Sequence, residues 1–220
     1  MTDSTSKHLE QMLSPERLER LDAVLDCRLG GLTVLLEDLH KPQNMGACIR
    51  TLEALGIQNV HVIDSEDPFI PNGKVTQGCH KWVDVHHHSD VPSAVSQLRE
   101  QGYQILATSP TAAATLEDLD LSVPSALCFG NELMGMSWQL EQEADQCFRI
   151  PMYGYTKSFN ISVALGICLN VASRARRIAL NQSGDLSDEQ KSELRKKWLI
   201  LSRKHSEQIV AGLSSRSGDE

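Results

Sequence analysis

The sequence predicts an α/β fold with a mostly parallel sheet and helices on both of its faces. Apolar, β-branched runs of strand length alternate along the chain with amphipathic stretches of helical spacing. Glycine or proline follows several of these stretches, where helices and strands are expected to end. With 220 residues, 40% of them hydrophobic, the chain is long enough for one well-buried domain with terminal additions.

The first half of the chain predicts a helix, then a strand-helix-strand unit. Ser14 suits an N-cap because Pro15 and helically spaced leucines follow it. Residues 32–36 and 60–63 are apolar runs typical of buried strands, and residues 44–55 between them predict a helix that ends at Gly56. Residues 67–78 are rich in Pro, Asn and Gly and predict a long loop, the kind of segment that often carries function.

The alternation continues in the second half. Asp90, Ser137 and Ser187 are expected to cap helices, and Ser187 with Gln190 fits a capping box. The predicted strands lie around residues 83–85, 104–107, 125–129 and 147–150. The predicted helices are at residues 90–101, after Ser137, at residues 160–180, and after Ser187 through Trp198, Leu199, Leu201 and Ile209. Residues 214–220 form a polar tail.

The formal net charge of −8 disfavours nucleic-acid binding, because Lys and Arg that neutralise phosphates supply most sequence-independent affinity. The charge is unevenly distributed, since residues 174–204 hold nine Lys and Arg against four Asp and Glu. That stretch is either a solvated helix face or a contact surface for RNA.

The chain is expected to be cytoplasmic. No apolar run approaches the roughly 18 residues that a membrane helix needs, and the first residues lack the pattern of a signal peptide. The six cysteines contain no CxxC pair, which favours small hydrophobic residues in a reducing compartment over zinc ligands or disulfides. His86, His87 and His88 do not predict a metal site either, because only His86 and His88 would share a strand face.

Three strand ends carry unusual polar residues, at positions 40–50, 129–135 and 150–162, while GxGxxG and GxxxxGK[ST] are absent. Each cluster also has a structural interpretation. Asn44 could cap a helix and Arg50 could make a surface ion pair, while Glu132 could cap a turn. The N-cap of the long helix could be Asn160, Ser158 or Ser162.

Taken together and in this order, the clusters resemble the three motifs of the SpoU/TrmH branch of the SPOUT methyltransferases. The matching patterns are HKPQNxxAxxRT from residue 40, GxExxG from residue 130 and IPMxGxxxSxNxSVA from residue 150, with HKWV at residues 80–83 between them. The resemblance implies a deep trefoil knot in the carboxyl-terminal part of the fold. It also implies S-adenosyl-L-methionine (AdoMet) as cofactor, and a homodimer whose active sites take residues from both subunits.

The resemblance assigns a methyltransferase domain to residues 31–180, between helical extensions at residues 1–30 and 181–220. Carried over position by position, it implies that the catalytic residues are Arg50, Asn44, Glu132, Ser158 and Asn160. It implies cofactor contacts at Thr108, Gly130, Ile150, Met152 and Phe159. The reaction that the resemblance implies is transfer of a methyl group from AdoMet to a ribose 2′-hydroxyl of RNA. Our hypothesis is that Arg50 holds this hydroxyl and a phosphate, while Glu132 holds the loops or Arg50 itself.

The chain has only a short segment before its first strand, and in this it resembles the family members that methylate a D-loop guanosine of tRNA. This resemblance makes tRNA the expected partner. Two alternatives stay within the family: an rRNA 2′-O-methyltransferase, and a non-catalytic protein that binds RNA or AdoMet. An unrelated α/β enzyme that acts on a small metabolite would require an accidental match to all three motifs.

Overall fold

The computed structural model describes residues 3–64, 70 and 73–202, and they form two compact units. Residues 29–185 form an α/β unit built on one sheet. The described residues up to Arg28 form a helical unit with those from Leu186 to Ser202.

The sheet of the α/β unit has six strands, and every pairing between them is parallel. The strands are β1 (Leu29–Glu37), β2 (Ile57–Ile63), β3 (Asp84–His88), β4 (Gln104–Thr108), β5 (Ser125–Phe129) and β6 (Gln146–Phe148). They lie in the order β3-β2-β1-β5-β4-β6. The predicted α/β class is confirmed, and the sheet is parallel throughout.

Five of the eight helices in the described residues begin where a short polar side chain caps them. The helices of the described residues are α1 (Asp3–Gln11), α2 (Pro15–Asp26), α3 (Pro42–Ala54), α4 (Gly73–Thr76), α5 (Val91–Glu100), α6 (Trp138–Gln142), α7 (Ile161–Leu180) and α8 (Asp188–Leu201). The predicted caps at Ser14, Asp90 and Ser137 each accept a backbone N–H, and the capping box of Ser187 with Gln190 is present. Gly56 follows α3 at φ 79°, a left-handed conformation that favours glycine.

Several predicted boundaries were wrong. Strand β1 starts three residues earlier than predicted, because Gly30 and Gly31 extend it past a register shift against β2 despite their low strand propensity. Strand β6 ends at Phe148 instead of residue 150, since the Arg149 N–H donates to Ala114 O at 2.9 Å outside the strand. Helix α1 was not predicted, because Leu9 is the only apolar residue in its sequence. Helix α4 occupies part of the predicted long loop, whose residues 67–69 and 71–72 lie outside the described residues.

The two faces of the sheet bury separate apolar clusters, as alternation along a strand requires. On β1, Val34 and Leu36 belong to the cluster that includes residues of α3 and α7. Leu35 between them belongs to the other cluster, with residues of α5 and α6 such as Leu98 and Leu140. The prediction of helices on both faces of the sheet is therefore confirmed.

A buried ion pair ties the segment after α7 to the start of β1. Arg176 Nε donates to Asp185 Oδ2 at 2.5 Å, and the two side chains are only 7% and 9% exposed. Asp185 also accepts the Gly30 N–H at 2.5 Å, while Arg176 Nη1 donates to Ser122 O at 3.1 Å. A Cβ at Gly31 would lie 1.9 Å from Arg176 Nη2, so only glycine permits this close approach.

The helical unit is stabilised by ion pairs that involve several lysines and arginines of the predicted basic stretch. Arg195 donates to Asp22 at 2.6 Å and also to Glu10. Lys191 pairs with Asp26 and Lys196 with Glu193, each at 2.8 Å. These cations are therefore largely neutralised by acids of the same unit, which weakens the case for α8 as an RNA contact. The predicted helix residue Ile209, together with Arg203 and Lys204, lies outside the described residues.

No helix in the described part of the chain combines the length and the apolar character needed to cross a bilayer.

Replacing Asp185 with Ala should lower the free energy of unfolding by about 3 kcal/mol, because the buried Arg176 guanidinium would lose its counter-ion. The matched control is Glu143→Ala, which removes an exposed ion pair with Arg99 in the same unit and should cost less than about 1 kcal/mol. Urea unfolding followed by circular dichroism measures both. Equal losses in the two variants would contradict a structural role for the buried pair.

Candidate functional site

The polar clusters at the strand ends come together at the carboxyl-terminal edge of the sheet. Helix α3 follows β1, a tight turn at residues 130–135 follows β5, and residues 149–160 connect β6 to α7. Strands β1 and β5 are neighbours, and α3 packs against α7. In parallel sheets this edge is where ligands bind.

A row of hydrogen bonds joins one residue from each cluster. Asn44 Nδ2 donates to Glu132 Oε1 at 2.5 Å, and Asn160 Nδ2 donates to Asn44 Oδ1 at 3.2 Å. Asn160 Oδ1 in turn accepts from the Ser162 N–H at 2.9 Å and from its hydroxyl at 2.7 Å. Both functional groups of the Asn44 amide are thereby used, so its orientation is fixed.

The local structure decides between the helix-cap interpretations of these residues. The cap interpretation of Asn44 was wrong, because α3 begins after Lys41 and Asn44 lies within its first turn. Asn160, by contrast, is the N-cap of α7. The turn after β5 is closed by Asn131, whose Oδ1 accepts the N–H groups of Leu133 and Met134, and the neighbouring Glu132 instead bonds to Asn44.

The Glu132 carboxylate is half buried and only partly used. Its Oε2 is buried and has no hydrogen-bond partner among the described residues. Burial raises the pKa of the nearby Cys48 thiol to about 12, and the negative charge of Glu132 contributes to that rise. One carboxylate oxygen thus remains unpaired at the Glu132 end of the row.

Arg50 and Ser158 are not joined to the row. Both side chains are exposed, and neither makes a hydrogen bond or ion pair with another described residue. The surface ion pair suggested for Arg50 is therefore not found in the described part of the chain. Glu132 holds Asn44 and not Arg50, which leaves the guanidinium free to meet another group.

The predicted cofactor residues lie around the ends of β4, β5 and β6, which are adjacent in the sheet. Thr108 ends β4, and its hydroxyl donates to Cys128 O at 3.0 Å. Gly130 follows β5, where a Cβ would lie 2.1 Å from Met136 N, so the tight turn requires glycine. Ile150 and Met152 are half buried after β6, and Phe159 is exposed just before α7.

Gly46 is a site neighbour that the sequence did not single out for a role. It lies on α3 between Asn44 and Cys48, and a Cβ there would lie 2.3 Å from Val75 Cγ1. Glycine therefore lets α4 approach α3 closely behind the site. The small residue within a helix was the only sequence signal for this contact.

Residues 31–170 match the family model of the SpoU rRNA methylase family, which covers more than half of the chain. This chain belongs to the SpoU rRNA methylase family. The resemblance inferred from the three motifs is confirmed.

Curated and solved relatives agree with the family. The tRNA (guanosine(18)-2′-O)-methyltransferase of Borreliella burgdorferi is 36% identical over 192 residues, which are 86% of this chain and 87% of that relative. The crystal structure of the A. aeolicus TrmH/SpoU tRNA modifying enzyme matches with a TM-score of 0.77 at 32% identity, covering 86% of this chain and 98% of that chain. An AdoMet-bound rRNA methyltransferase from Sinorhizobium meliloti matches with a TM-score of 0.60 at 26% identity, covering 70% of this chain and 59% of that chain.

Away from these motifs, the SpoU-family chain carries a histidine cluster on β2 and β3. His61 of β2 joins the predicted pair His86 and His88, with its ring stacked on His86 at 4.7 Å and its Nδ1 2.9 Å from His88 Nε2. No group of three or more His, Cys, Asp or Glu side chains in the described residues is arranged to hold a metal ion. Burial, together with the smaller effect of the two neighbouring imidazoles, lowers the pKa of His61 to about 3.

This cluster should make stability depend on pH. Because the pKa of His61 is lower in the folded chain than in the unfolded chain, the unfolded state binds the proton first as the pH falls below about 6.5. The contribution of His61 is therefore complete above that pH and is lost as the pH falls towards 3. His61→Gln should reduce the slope of unfolding free energy against pH between pH 6 and 4 by up to about 1.4 kcal/mol per unit. Urea titrations at each pH measure the slope, with exposed His40→Gln as control, and an unchanged slope in His61→Gln would contradict the assignment.

Proposed function

We propose that this chain is an AdoMet-dependent RNA ribose 2′-O-methyltransferase that acts on a D-loop guanosine of tRNA. The row of hydrogen bonds from Glu132 through Asn44 to Asn160 carries the proposal, because it links all three motifs of the family at one edge of the sheet. The tRNA relatives support the substrate, since they match over 87% and 98% of their own length. The S. meliloti rRNA methyltransferase matches over 59% of its length, so rRNA is the second candidate.

We assign the activity to residues 31–180, with residues 1–30 and 181–220 as helical extensions. A cytoplasmic location follows from a tRNA substrate, and six free cysteines suit the reducing conditions there.

The residues at the ends of β4, β5 and β6 fit AdoMet. Ile150, Met152 and Phe159 provide apolar surface for an adenine ring and an aliphatic chain, while backbone groups near Gly130 and Thr108 can fix polar atoms. Because the tight turn requires glycine at position 130, no side chain projects from that position at this edge of the sheet. When bound, AdoMet supplies an electrophilic methyl group on a sulfonium.

Arg50 is the residue that would act on the nucleophile. A ribose 2′-hydroxyl attacks poorly until its proton is withdrawn and its oxygen is aligned. A guanidinium stays protonated in proteins, so Arg50 would donate hydrogen bonds instead of taking the proton. We assign it to stabilise the developing negative charge on the 2′-oxygen, with an adjacent RNA phosphate accepting the proton.

Asn44, Asn160 and Glu132 would hold the reacting nucleotide and the loops around it. The row fixes Asn160 at the start of α7, where its position depends on both Asn44 and Ser162. The free Oε2 of Glu132 is an acceptor for a substrate donor. Ser158, exposed two residues before Asn160, would contact the nucleotide through its hydroxyl.

A homodimer would bring Arg50 to a site in the partner subunit. Arg50 lies six residues after Asn44 on α3, which places the two side chains about 120° apart around the helix. Its guanidinium therefore does not face the hydrogen-bonded row of its own chain. A second subunit that presents its row to Arg50 would complete the site.

Exposed apolar side chains support the same homodimer. Val163, Ile167 and Ile178 follow one stripe of α7 at helical spacing, and all three are exposed. Leu133 and Met134 at the turn after β5 are also exposed. An apolar surface of this kind is typical of a protein interface.

We place the proposed trefoil knot after β6, where the chain returns towards the middle of the sheet. Strand β6 lies at the edge of the sheet, yet the helix that follows it, α7, packs against α3 and against β1 near the middle. Residues 149–160 therefore return across two neighbouring strands after β6. We assign the knot to this return.

Methyl transfer from labelled AdoMet tests the function and the role of Arg50 together. Wild type should label total tRNA, and digestion should release 2′-O-methylguanosine. Arg50→Ala should lower kcat at least about 100-fold while it keeps most tRNA affinity, since it removes transition-state stabilisation. Arg99→Ala, an exposed arginine on α5, is the matched control and should keep wild-type turnover. Labelling of rRNA alone would overturn the substrate, and no labelling of either RNA would overturn the enzyme assignment.

Mixing two inactive variants tests the shared site. If Arg50 serves the partner subunit, a heterodimer of Arg50→Ala with Glu132→Ala keeps one site in which both residues are wild type. Dissociating and reassociating the two variants should then restore about a quarter of wild-type activity, because about half of random dimers are heterodimers with one intact site each. If Arg50 and Glu132 act within one chain, every site lacks one of them and the mixture stays inactive.

A further inference from the structure

Acidic residues are segregated from three long segments of this chain. Residues 39–52, 68–83 and 146–184 contain none of the 29 Asp and Glu residues, although they hold nine of the 21 Lys and Arg residues. A net charge of −8 therefore coexists with three segments that are purely basic. We call the exposed basic and aromatic residues in the described parts of these segments the acid-free surface.

The three segments meet in the fold around α3. Helix α3 packs against α7, against α4 and against the 3-10 helix Cys79–Trp82. The hydrogen bond between Asn44 and Asn160 joins the first segment to the third directly beside the proposed site. Their charges therefore act on one region of space, where they reinforce each other.

The cations of this surface are not neutralised within the described chain. Lys41, Lys81 and Lys157 are exposed, and no acidic side chain among the described residues pairs with them. Lysines 191 and 196 of α8, by contrast, each pair with an acid at 2.8 Å. A paired lysine has less positive potential to offer a phosphate than an unpaired one.

Two aromatic rings lie within the same surface. Tyr153 and Tyr155 are 97% and 105% exposed, in the segment that runs from β6 to Asn160. Water-exposed aromatic rings beside unpaired cations suit single-stranded RNA, whose unstacked bases bind aromatic faces. A partner recognised by apolar contacts alone would not require the absence of acids.

We infer that the acid-free surface, and not helix α8, is the electrostatic RNA-binding surface of this chain. Lys41, Lys81 and Lys157 bind phosphates on either side of the reacting nucleotide, and Tyr153 and Tyr155 stack on unpaired bases of an RNA loop. This inference rests on the proposed function, because it takes RNA as the substrate.

The salt dependence of tRNA binding tests the inference. Each of Lys41→Gln, Lys81→Gln and Lys157→Gln should reduce the slope of log Kd against log salt concentration by about one, since each removes one phosphate contact. The controls Lys191→Gln and Lys196→Gln remove the same charge from α8 and should leave the slope within error of wild type. Tyr153→Leu with Tyr155→Leu should weaken binding about 10-fold or more without changing the slope, because stacking carries no net charge.

Fluorescence anisotropy with labelled tRNA between 50 and about 200 mM salt provides the slopes, and circular dichroism confirms folding of each variant. Slopes that fall in the α8 controls but not in the three site variants would overturn the inference, as would equal changes in both sets. Methyl transfer is measured separately on wild type. If wild type methylates tRNA but the three lysine substitutions leave the slope unchanged, only this inference is contradicted. If the three lysine substitutions reduce the slope but wild type does not methylate tRNA, only the proposed function is contradicted.

Discussion

A parallel sheet places the carboxyl ends of all its strands at one edge, and the candidate site depends on this constraint. Glu132 and Asn160 are 88 and 116 positions from Asn44 in sequence. Both reach Asn44 because β5, β6 and β1 end on the same side of the sheet. The two apolar clusters that cover the sheet hold these ends in place from both faces. The buried pair of Arg176 and Asp185 fixes the far end of α7 against the start of β1.

The site is built mainly from amides, and this suits its proposed chemistry. An asparagine both donates and accepts, so Asn44 can connect a carboxylate on one side to a second amide on the other without adding charge. The one carboxylate, Glu132, keeps an oxygen free while its other oxygen is bonded. In the proposed mechanism the positive charge that an oxyanion requires would come from Arg50, which no residue of the described chain neutralises.

The acidity of the chain and a polyanionic substrate are compatible because charge acts locally. At moderate salt, screening limits the electrostatic potential of an exposed cation to a distance of about 10 Å. The ion pairs of the helical unit use its cations to stabilise helices, as Arg195 does with Asp22 and Glu10. In the acid-free segments around α3, by contrast, Lys41, Lys81 and Lys157 pair with no acidic side chain of the described residues.

The sequence by itself determined the local features of this protein. Strand positions followed from apolar runs, and caps such as Asp90 and Ser187 followed from side chains that bond the backbone three residues away. The three motifs identified the family and the residues of the candidate site, because their order and spacing are specific. Each of these signals is contained within a few neighbouring residues.

Only the tertiary structure decided how those residues are paired. Sequence proximity to a helix start suggested that Asn44 is a cap, but packing of α3 against the turn after β5 made it the partner of Glu132. His61 joined His86 and His88 only because β2 and β3 are adjacent in the sheet. Long-range contacts depend on the packing of whole elements, which short-range periodicity does not encode. That is why the sequence could propose candidate members of the site, while the fold alone determined the hydrogen bonds among Glu132, Asn44 and Asn160.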